Sequence, residues 1–272
     1  MKKLSLVYGY SESLKNHDIF LSSLLNYNKT FSDFDTILHC WDDDPFLNEY
    51  IDKIKPIEVI ISKQPDIKNY DPAIYTYSNV DRDKWTIIPR VVALQQLKQV
   101  LIKYHQYDVC CLRRFDLFFY KHLELIDYDK INLIRNFLLQ GRSLVNLTSQ
   151  ISCGWGTDRL NDYLILTNYE NMLRFLSFDM DDVIRYHTDI YNKIGKSGLK
   201  KDFHYFIAQR IKDVFGLGKI NYFMNSPQDM QVAKQYYYDN RIINVSGRSW
   251  SINNYEKFNQ LTADVNRKFE AL

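Results

Sequence analysis

The chain has 272 residues, of which 46% are hydrophobic and 25% charged, and it carries 35 Lys and Arg against 33 Asp and Glu. These proportions are typical of a globular protein and exclude disorder as the main state, because this much apolar surface can offset the entropy of an ordered chain. A net charge of +2 is not the signature of a polyanion-binding protein, so we expect no nucleic-acid partner.

The sequence predicts neither a targeting segment nor a membrane span. The apolar run Leu4–Tyr8 is too short for the core of a signal peptide, and no stretch approaches the roughly 18 apolar residues of a spanning helix. Adjacent cysteines on a strand face opposite sides of the sheet, so Cys110 and Cys111 cannot share one ordinary disulfide or zinc site. We expect buried thiols in a reducing compartment for Cys40, Cys110, Cys111 and Cys153.

Strands and helices alternate at the start of the chain. The predicted elements are strands over 3–8, 34–41 and 57–61 and helices over 14–25 and 46–54. Pro45 and the acids before it suit the first turn of the second helix. This alternation predicts an α/β fold with a mostly parallel central sheet and helices on both faces. A long polar loop over 64–84 follows.

The rest of the chain is richer in helix. Its predicted elements are helices over 87–104, 168–178, 181–194 and 202–214 and strands over 107–120, 159–166 and 220–223. Residues 132–139 fit a helix or a strand, and 141–145 fit a short strand. Asn168 can cap one helix, and Gly216 ends another. We predict one domain over 1–235, with a polar and aromatic extension over 236–272 that packs on it.

A strand that ends in charged residues is the strongest candidate for a ligand site. Arg113-Arg114-Phe115-Asp116 lies in the predicted strand 107–120, and strand alternation puts Arg114 and Asp116 on one face. Open α/β sheets bind ligands beyond the carboxyl ends of their strands. There a guanidinium can clamp phosphate and a carboxylate can hold a divalent metal, although a structural ion pair would explain the same residues.

The turns after the first two strands are further candidates. Gly9 allows a ligand to approach the backbone of residues 9–12, which otherwise form an ordinary turn into a helix. The chain has no G-x-G-x-x-G and no P-loop, so the fingerprints of classical dinucleotide and Walker-type binding are missing. The acids after the second strand, Asp42, Asp43 and Asp44, suit a helix start, a metal, or contacts to a ribose or base.

Single residues elsewhere could have a structural or a functional role. His39 alternates with inward positions, which favours a hydrogen-bonded core residue. Asp162 lies near a junction between loop and strand, where an acid could deprotonate an acceptor hydroxyl or cap a turn. His204 lies at the head of a late helix and could complete a metal site or be structural. The zinc-binding motif H-E-x-x-H does not occur. G-x-S-x-G does not occur either, so a serine hydrolase is unsupported.

These stretches resemble the GT-A glycosyltransferases of bacterial capsule and lipopolysaccharide clusters and of large DNA viruses. The matching segments are FDTILHCWDDD (34–44), IIPRVVALQQLKQVLIKY (87–104), YDVCCLRRFDLFF (107–119) and 155–166. The resemblance implies a Rossmann-like GT-A fold with a helical C-terminal part, in the cytoplasm of a bacterium or of a host cell. Such enzymes move a sugar from a nucleotide-sugar donor to a hydroxyl of a glycan acceptor, here in surface-glycan synthesis.

The resemblance also implies roles for site residues. The first strands of these enzymes bind the nucleotide, which implies contacts from Tyr8, Gly9, Tyr10, Ser11 and Asp42. A D-x-D motif in the family holds Mn²⁺ or Mg²⁺ on the diphosphate, and the matching positions here read Arg114-Phe115-Asp116. Asp116 and His204 would hold the cation, Arg114 and Arg90 would neutralise the diphosphate, and Asp162 would act as the acceptor-side base if the enzyme inverts configuration. Because Arg114 replaces the first acid, the cation could be dispensable.

Two other functions stay open at this point. Arg114 in place of an acid fits a nucleotide-sugar or carbohydrate-binding module that has lost catalysis. A nucleotidyltransferase shares the nucleotide-binding α/β layout, but it normally has a glycine-rich basic loop after the first strand. Residues 9–13 contain one Gly and no Lys or Arg, which disfavours that reading.

Overall fold

A computed structural model describes residues 1–9, 28–66, 69, 87–114, 117–119, 126–134, 164–194, 203–216, 220–223 and 230–232. The strands are β1 (Lys3–Tyr8), β2 (Asp35–Trp41), β3 (Glu58–Ser62), β4 (Val109–Arg114), β5 (Leu117–Phe119), β6 (Ile131–Ile134), β7 (Leu164–Asn168), β8 (Ile220–Phe223) and β9 (Met230–Val232). The helices are α1 (Leu47–Ile54), α2 (Ile87–Leu101), α3 (Tyr169–Leu176), α4 (Met180–Ile194) and α5 (Phe203–Phe215), and a 3₁₀ turn at Ile102–Tyr104 extends α2.

Among the described residues, seven strands form one sheet in the order β3-β2-β1-β4-β7-β6-β8. β3, β2, β1 and β4 are parallel to one another, whereas β7 is antiparallel to both of its neighbours and β6 is parallel to β8. This architecture confirms the predicted α/β class with a mostly parallel central sheet. The order reverses between β1 and β4, because β2 and β3 lie on one side of β1 and β4 lies on the other.

The parallel strands β1, β2 and β4 are buried on both faces, which explains their nearly continuous apolar sequences. One side of the sheet, which we call the helical face, packs against α2, α3, α4 and α5. Its core includes Leu6, Ile37, Leu97, Leu112, Ile165, Phe175, Val183 and Ile207. β2 and β3 are parallel. Because connections between parallel strands are right-handed in nearly all proteins, we infer that α1 lies on the other side, which we call the opposite face.

Helix α2 runs against the parallel strands. Near its C-terminal end, the carbonyl of Leu101 accepts a hydrogen bond from the Tyr169 hydroxyl at 3.3 Å. Just beyond, the Tyr104 hydroxyl donates to Glu58, the first residue of β3, at 2.7 Å. The C-terminal end of α2 therefore lies at the amino ends of the strands. Its first turn, which contains Arg90, lies at the carboxyl ends of β1 to β4, which we call the carboxyl edge.

Local signals set the helix ends as the sequence predicts. The Asn168 side chain caps α3, since its Oδ1 accepts from the N–H of Asn171 at 2.9 Å. Gly216 ends α5 with a φ of 73°, and its N–H donates to the carbonyl of Lys212 at 3.0 Å.

The predicted strand over 107–120 is wrong, because it is two strands in different sheets. β4 ends at Arg114, and β5 pairs with β9 in a separate two-stranded sheet. The apolar alternation continues across the boundary, so the sequence pattern does not mark the change of partner. Because β4 ends at Arg114, strand alternation does not place Arg114 and Asp116 on one face.

Smaller differences concern element ends. Pro45 precedes α1, which begins at Leu47, and is not in its first turn. The ambiguous segment over 132–139 is strand β6 where the structure describes it, and β7 runs to Asn168. The predicted elements over 14–25 and 141–145, and the extension over 236–272, lie outside the described residues.

The described cysteines are buried free thiols, as predicted. They are Cys40, Cys110 and Cys111, while Cys153 lies outside the described residues. Burial raises the pKa of the Cys111 thiol to about 12, which keeps it protonated and unreactive at neutral pH. Within the described part of the chain, no helix is both long and apolar enough to cross a bilayer.

Candidate functional site

The carboxyl edge brings two of the predicted site residues together on neighbouring strands. Tyr8, the last residue of β1, is the register partner of Arg114, the last residue of β4. On its other side, Tyr8 is the register partner of His39 in β2. Open α/β sheets bind ligands where the strand order reverses, and here it reverses between β1 and β4. The Tyr8–Arg114 pair therefore lies at the expected ligand position.

The two arginines that end β4 face opposite sides of the sheet. Register partners share a face, and Tyr8 belongs to the core of the helical face, so half-buried Arg114 lies on that face too. Arg113 lies on the opposite face, and only 1% of it is exposed. Of the two guanidiniums, that of Arg114 is thus the one placed toward the helices that flank the edge.

Gly9 leaves β1 in a conformation that favours glycine. Its φ is 152°, in a range that residues with a Cβ rarely adopt. Beside Tyr8, Gly9 therefore places no side chain between the backbone and a ligand. Tyr10 and Ser11, the next predicted contacts, lie outside the described residues.

The three acids after β2 differ in their surroundings. Buried Asp44 accepts a hydrogen bond from the N–H of Phe46 at 3.0 Å, which organises the turn before α1. Exposed Asp43 accepts from the Gln64 amide at 3.1 and 3.2 Å. Asp42 is exposed, and its backbone N–H donates to the carbonyl of Ser62 at 2.9 Å. Asp42 is therefore fixed by its main chain at the carboxyl edge, with its carboxylate toward solvent.

Behind this edge, His39 is a hydrogen-bonded core residue, as predicted. Its Nε2 lies 2.8 Å from Oε1 of Gln96 in α2, and the same oxygen accepts from the Ser62 hydroxyl. Burial lowers the pKa of His39 to about 4, with the bond to Gln96 opposing part of that effect. His39 is thus neutral at physiological pH, and its Nε2–H is the donor to Gln96. This network joins β2, β3 and α2 below the edge.

Arg90 reaches the same edge from α2. It lies six residues before Gln96, or about 9 Å along the helix, while Trp41 lies about 7 Å beyond His39 along β2. Arg90 is half-buried and shares a helical stripe with the buried residues Leu94, Leu97 and Leu101. Arg90 is therefore at the level of the strand ends and on the helical face, as Arg114 is.

Helix α5 also begins toward the carboxyl edge. α3 starts at the amino ends of the strands, because the N–H of Tyr169 donates to the carbonyl of Asp108 at 3.0 Å. α5 runs against α3, since Arg210 contacts the end of α3 and the carbonyl of Val214 accepts from Arg174. His204, in the first turn of α5, thus has its backbone on the same side of the molecule as Arg114.

The remaining site predictions are untested. Asp116 and Asp162 lie outside the described residues, and of His204 only the backbone is described. Within the described ranges, no group of three His, Cys, Asp or Glu side chains could hold a metal ion. The metal and base assignments therefore remain predictions from the resemblance.

The residues behind the carboxyl edge could not be predicted from the sequence. Gln96 and Ser62 carry the network behind the edge, yet they are polar residues of ordinary kinds on α2 and β3. Gln96 carries no distinctive signal, because Arg90, Gln95, Lys98 and Gln99 are also polar residues of α2. Strand alternation predicts that Arg113 and Arg114 face opposite sides of the sheet. It does not predict that Arg113 is almost fully buried.

The sequence comparisons assign no family. No family model matches the chain, and no curated protein is similar to it in sequence. Among solved structures, the apo crystal structure of mouse xyloside xylosyltransferase 1 is similar, with a TM-score of 0.43 and 11% identity over 81% of this chain and 84% of that one. An alignment at this level shows neither a shared family nor a shared activity.

Proposed function

We propose that this protein is a glycosyltransferase that moves a sugar from a nucleotide-diphosphate-sugar donor to a hydroxyl of a glycan acceptor in surface-glycan synthesis. The observation that carries the proposal is the pairing of Tyr8 with Arg114 at the point where the strand order reverses. Tyr8, Gly9 and Arg114 are neighbours at the ends of β1 and β4. The open backbone at Gly9 and the guanidinium of Arg114 suit a ribose next to a phosphate. The resemblance to GT-A enzymes assigns the same residues.

The donor would lie along the carboxyl edge from β2 toward β4. The exposed carboxylate of Asp42 suits the hydroxyls of the ribose, since an ionised carboxylate only accepts hydrogen bonds. Tyr8 and the backbone at Gly9 would line the centre. Arg114 and Arg90, both on the helical face, would flank the diphosphate, where bidentate guanidinium–phosphate bonds are strong.

Charge stabilisation is the chemistry that these residues can supply. Glycosyl transfer leaves a nucleoside diphosphate with added negative charge, and fixed positive groups lower the energy of that state. Arg114 and Arg90 would hold this charge. A Mn²⁺ or Mg²⁺ ion would add to it if Asp116 and His204 supply its ligands. If the reaction inverts configuration, Asp162 would accept the proton of the acceptor hydroxyl.

A nucleotide-sugar-binding module without catalysis is the second candidate. Arg114 favours it, because a guanidinium stands at the strand end where the resemblance expects the first metal-binding acid. Such a module would bind the donor with the same residues and would not break the bond between sugar and phosphate.

A screen of UDP, GDP, TDP and CMP sugars, with and without Mn²⁺, tests both candidates. A ligand that binds the native state alone raises the unfolding temperature, and an active transferase slowly hydrolyses its donor. Stabilisation with hydrolysis supports the transferase, stabilisation without transfer to any acceptor supports the binding module, and no response to any donor contradicts both.

The variant that tests the catalytic assignment is Asp116→Ala. We expect it to abolish turnover and to leave the unfolding temperature nearly unchanged. The matched control is Asp43→Ala, which removes an acid held by Gln64 at the same edge and should retain turnover. Wild-type turnover in Asp116→Ala would contradict the role of Asp116.

A further inference from the structure

A buried cation precedes Arg114 in β4 and lies on the opposite face of the sheet. Arg113 is among the largest fully buried side chains, and its guanidinium stacks over the ring of Phe31 with 5.0 Å between Cζ and the ring centroid. Phe31 is itself buried and meets Phe34 edge to face at 5.3 Å. Burying a guanidinium is costly unless it makes strong contacts, so its place here needs an explanation beyond filling space.

One contact of Arg113 is with the main chain. Its Nε–H donates to the carbonyl of Arg114 at 3.1 Å. That carbonyl belongs to the last residue of β4, and only residues 115 and 116 separate it from β5, which pairs in another sheet. The carbonyl of Arg114 is thus where β4 ends, and a side chain from the opposite face donates a hydrogen bond to it.

We propose that Arg113 is a positioning residue whose Nε–H, bonded to the carbonyl of Arg114, fixes the end of β4 and so sets the position of Arg114 in the proposed diphosphate site. This inference rests on the proposed function for its consequence, but the backbone effect can be measured without a donor. Arg113 itself, on the opposite face, touches neither the donor nor the acceptor.

Two neutral variants distinguish the effect of this hydrogen bond from the effect of side-chain packing. In Arg113→Gln the amide nitrogen occupies the chain position of Nε, so a donor remains and the charge is removed. In Arg113→Met a methyl group occupies that position, so the variant has similar length and no donor. Both variants lose the guanidinium over Phe31 equally, which makes them a matched pair. Arg113→Lys is the third variant, because it keeps the charge but has a methylene in place of Nε.

The first readout is hydrogen exchange of the peptide that covers residues 114–119, measured by mass spectrometry on the whole 272-residue chain. A lost hydrogen bond of ordinary strength changes an opening equilibrium by about tenfold. We expect exchange in Arg113→Met to be about tenfold faster than in Arg113→Gln, with no such difference in the peptide that covers β1. Equal exchange in the two variants would overturn the proposal.

The second readout is the affinity for the donor that the wild type binds. We expect Arg113→Gln to bind it about tenfold more tightly than Arg113→Met, with the Gln variant also tighter than Arg113→Lys. If Met does not fold, the comparison of Gln with Lys decides, and tighter binding by Lys would mean that the buried charge matters and the bond does not. If the wild type binds no donor, the proposed function fails, and the exchange experiment alone supports or overturns the role of Arg113.

Discussion

Arg174 and Arg210 each cap the helix that carries the other. Arg174 in α3 donates to the carbonyl of Val214 at the end of α5, at 3.0 Å. Arg210 in α5 donates to the carbonyls of Arg174 and Phe175 at 2.8 and 3.2 Å, and to that of Ser177. The last carbonyls of a helix lack partners within it, and a cation is the preferred partner. These two residues therefore hold the C-terminal ends of α3 and α5 together in the helical layer that covers the sheet.

The first prediction concerns the stability that Arg210 provides. Arg210→Met keeps most of the aliphatic stem and removes every bond to the end of α3, so we expect a loss of about 2 kcal/mol in the free energy of unfolding. Urea denaturation monitored by circular dichroism measures it. The control is Arg185→Met, because Arg185 is 69% exposed and its ion pair with Asp182 should contribute less than about 1 kcal/mol. Equal losses would show that the bonds of Arg210 contribute no more than an exposed ion pair.

The second prediction concerns pH and His39. Its pKa is about 4 in the folded state and 6.5 when unperturbed, so between these values the unfolded chain binds a proton that the folded chain does not. The contribution of His39 to the free energy of unfolding is therefore fully present above pH 6.5 and is lost as the pH drops toward 4. The slope approaches about 1.4 kcal/mol per pH unit, and the total is about 3 kcal/mol.

His39→Gln isolates this effect, because carboxylates also titrate in the same range. We expect the variant to be less stable at neutral pH but to lose about 3 kcal/mol less than the wild type between pH 6.5 and 4. Denaturation curves at several pH values give both slopes. Parallel slopes for the two proteins would contradict a buried, neutral His39.

The parallel half of the sheet could be predicted from the sequence because its signals are local. β1 matches its predicted bounds, since a run of buried residues such as Leu4–Tyr8 has no other stable place. The cap at Asn168 and the end at Gly216 are also local. The break after Arg114 could not be predicted, because residues 117–119 continue the apolar pattern while pairing with a strand more than a hundred residues away.

Part of the candidate site could also be predicted from the sequence, and part could not. That strand ends carry the ligand contacts is a rule of α/β sheets, so Tyr8, Asp42 and Arg114 could be chosen from the sequence. Their arrangement depends on strand order, which no local pattern contains. The partners Gln96 and Ser62 lie 57 and 23 residues from His39 along the chain, and only the packing of α2 against the sheet brings them together.

The third prediction separates two adjacent acids. Asp42→Asn removes the charge of an exposed carboxylate at the carboxyl edge, and we expect about tenfold weaker donor binding if it contacts the ribose. Asp43→Asn is the matched control, since Asp43 already accepts from Gln64. Calorimetric titration of both variants with the donor found in the screen measures the difference. Equal affinities would remove Asp42 from the site.

The fourth prediction concerns the two guanidiniums proposed to hold the diphosphate. Arg114→Gln and Arg90→Gln each remove a charged bidentate donor, so we expect each to weaken donor binding by about 10- to 100-fold. The affinity should also depend less on salt than in the wild type, because one ionic contact is lost. Titrations of each variant with the donor at two salt concentrations measure both effects.

Lys103→Gln is the control for net charge. Lys103 is 63% exposed and pairs with Glu58 at 3.2 Å, at the amino ends of the strands. The length of a strand separates it from the proposed diphosphate, and exposed charges are largely screened beyond about 8 Å at physiological salt. Its variant has the same net charge as the two arginine variants, so its donor affinity should stay within about twofold of the wild type. Equal weakening in all three variants would mean that overall charge attracts the donor, and it would remove Arg114 and Arg90 from the site.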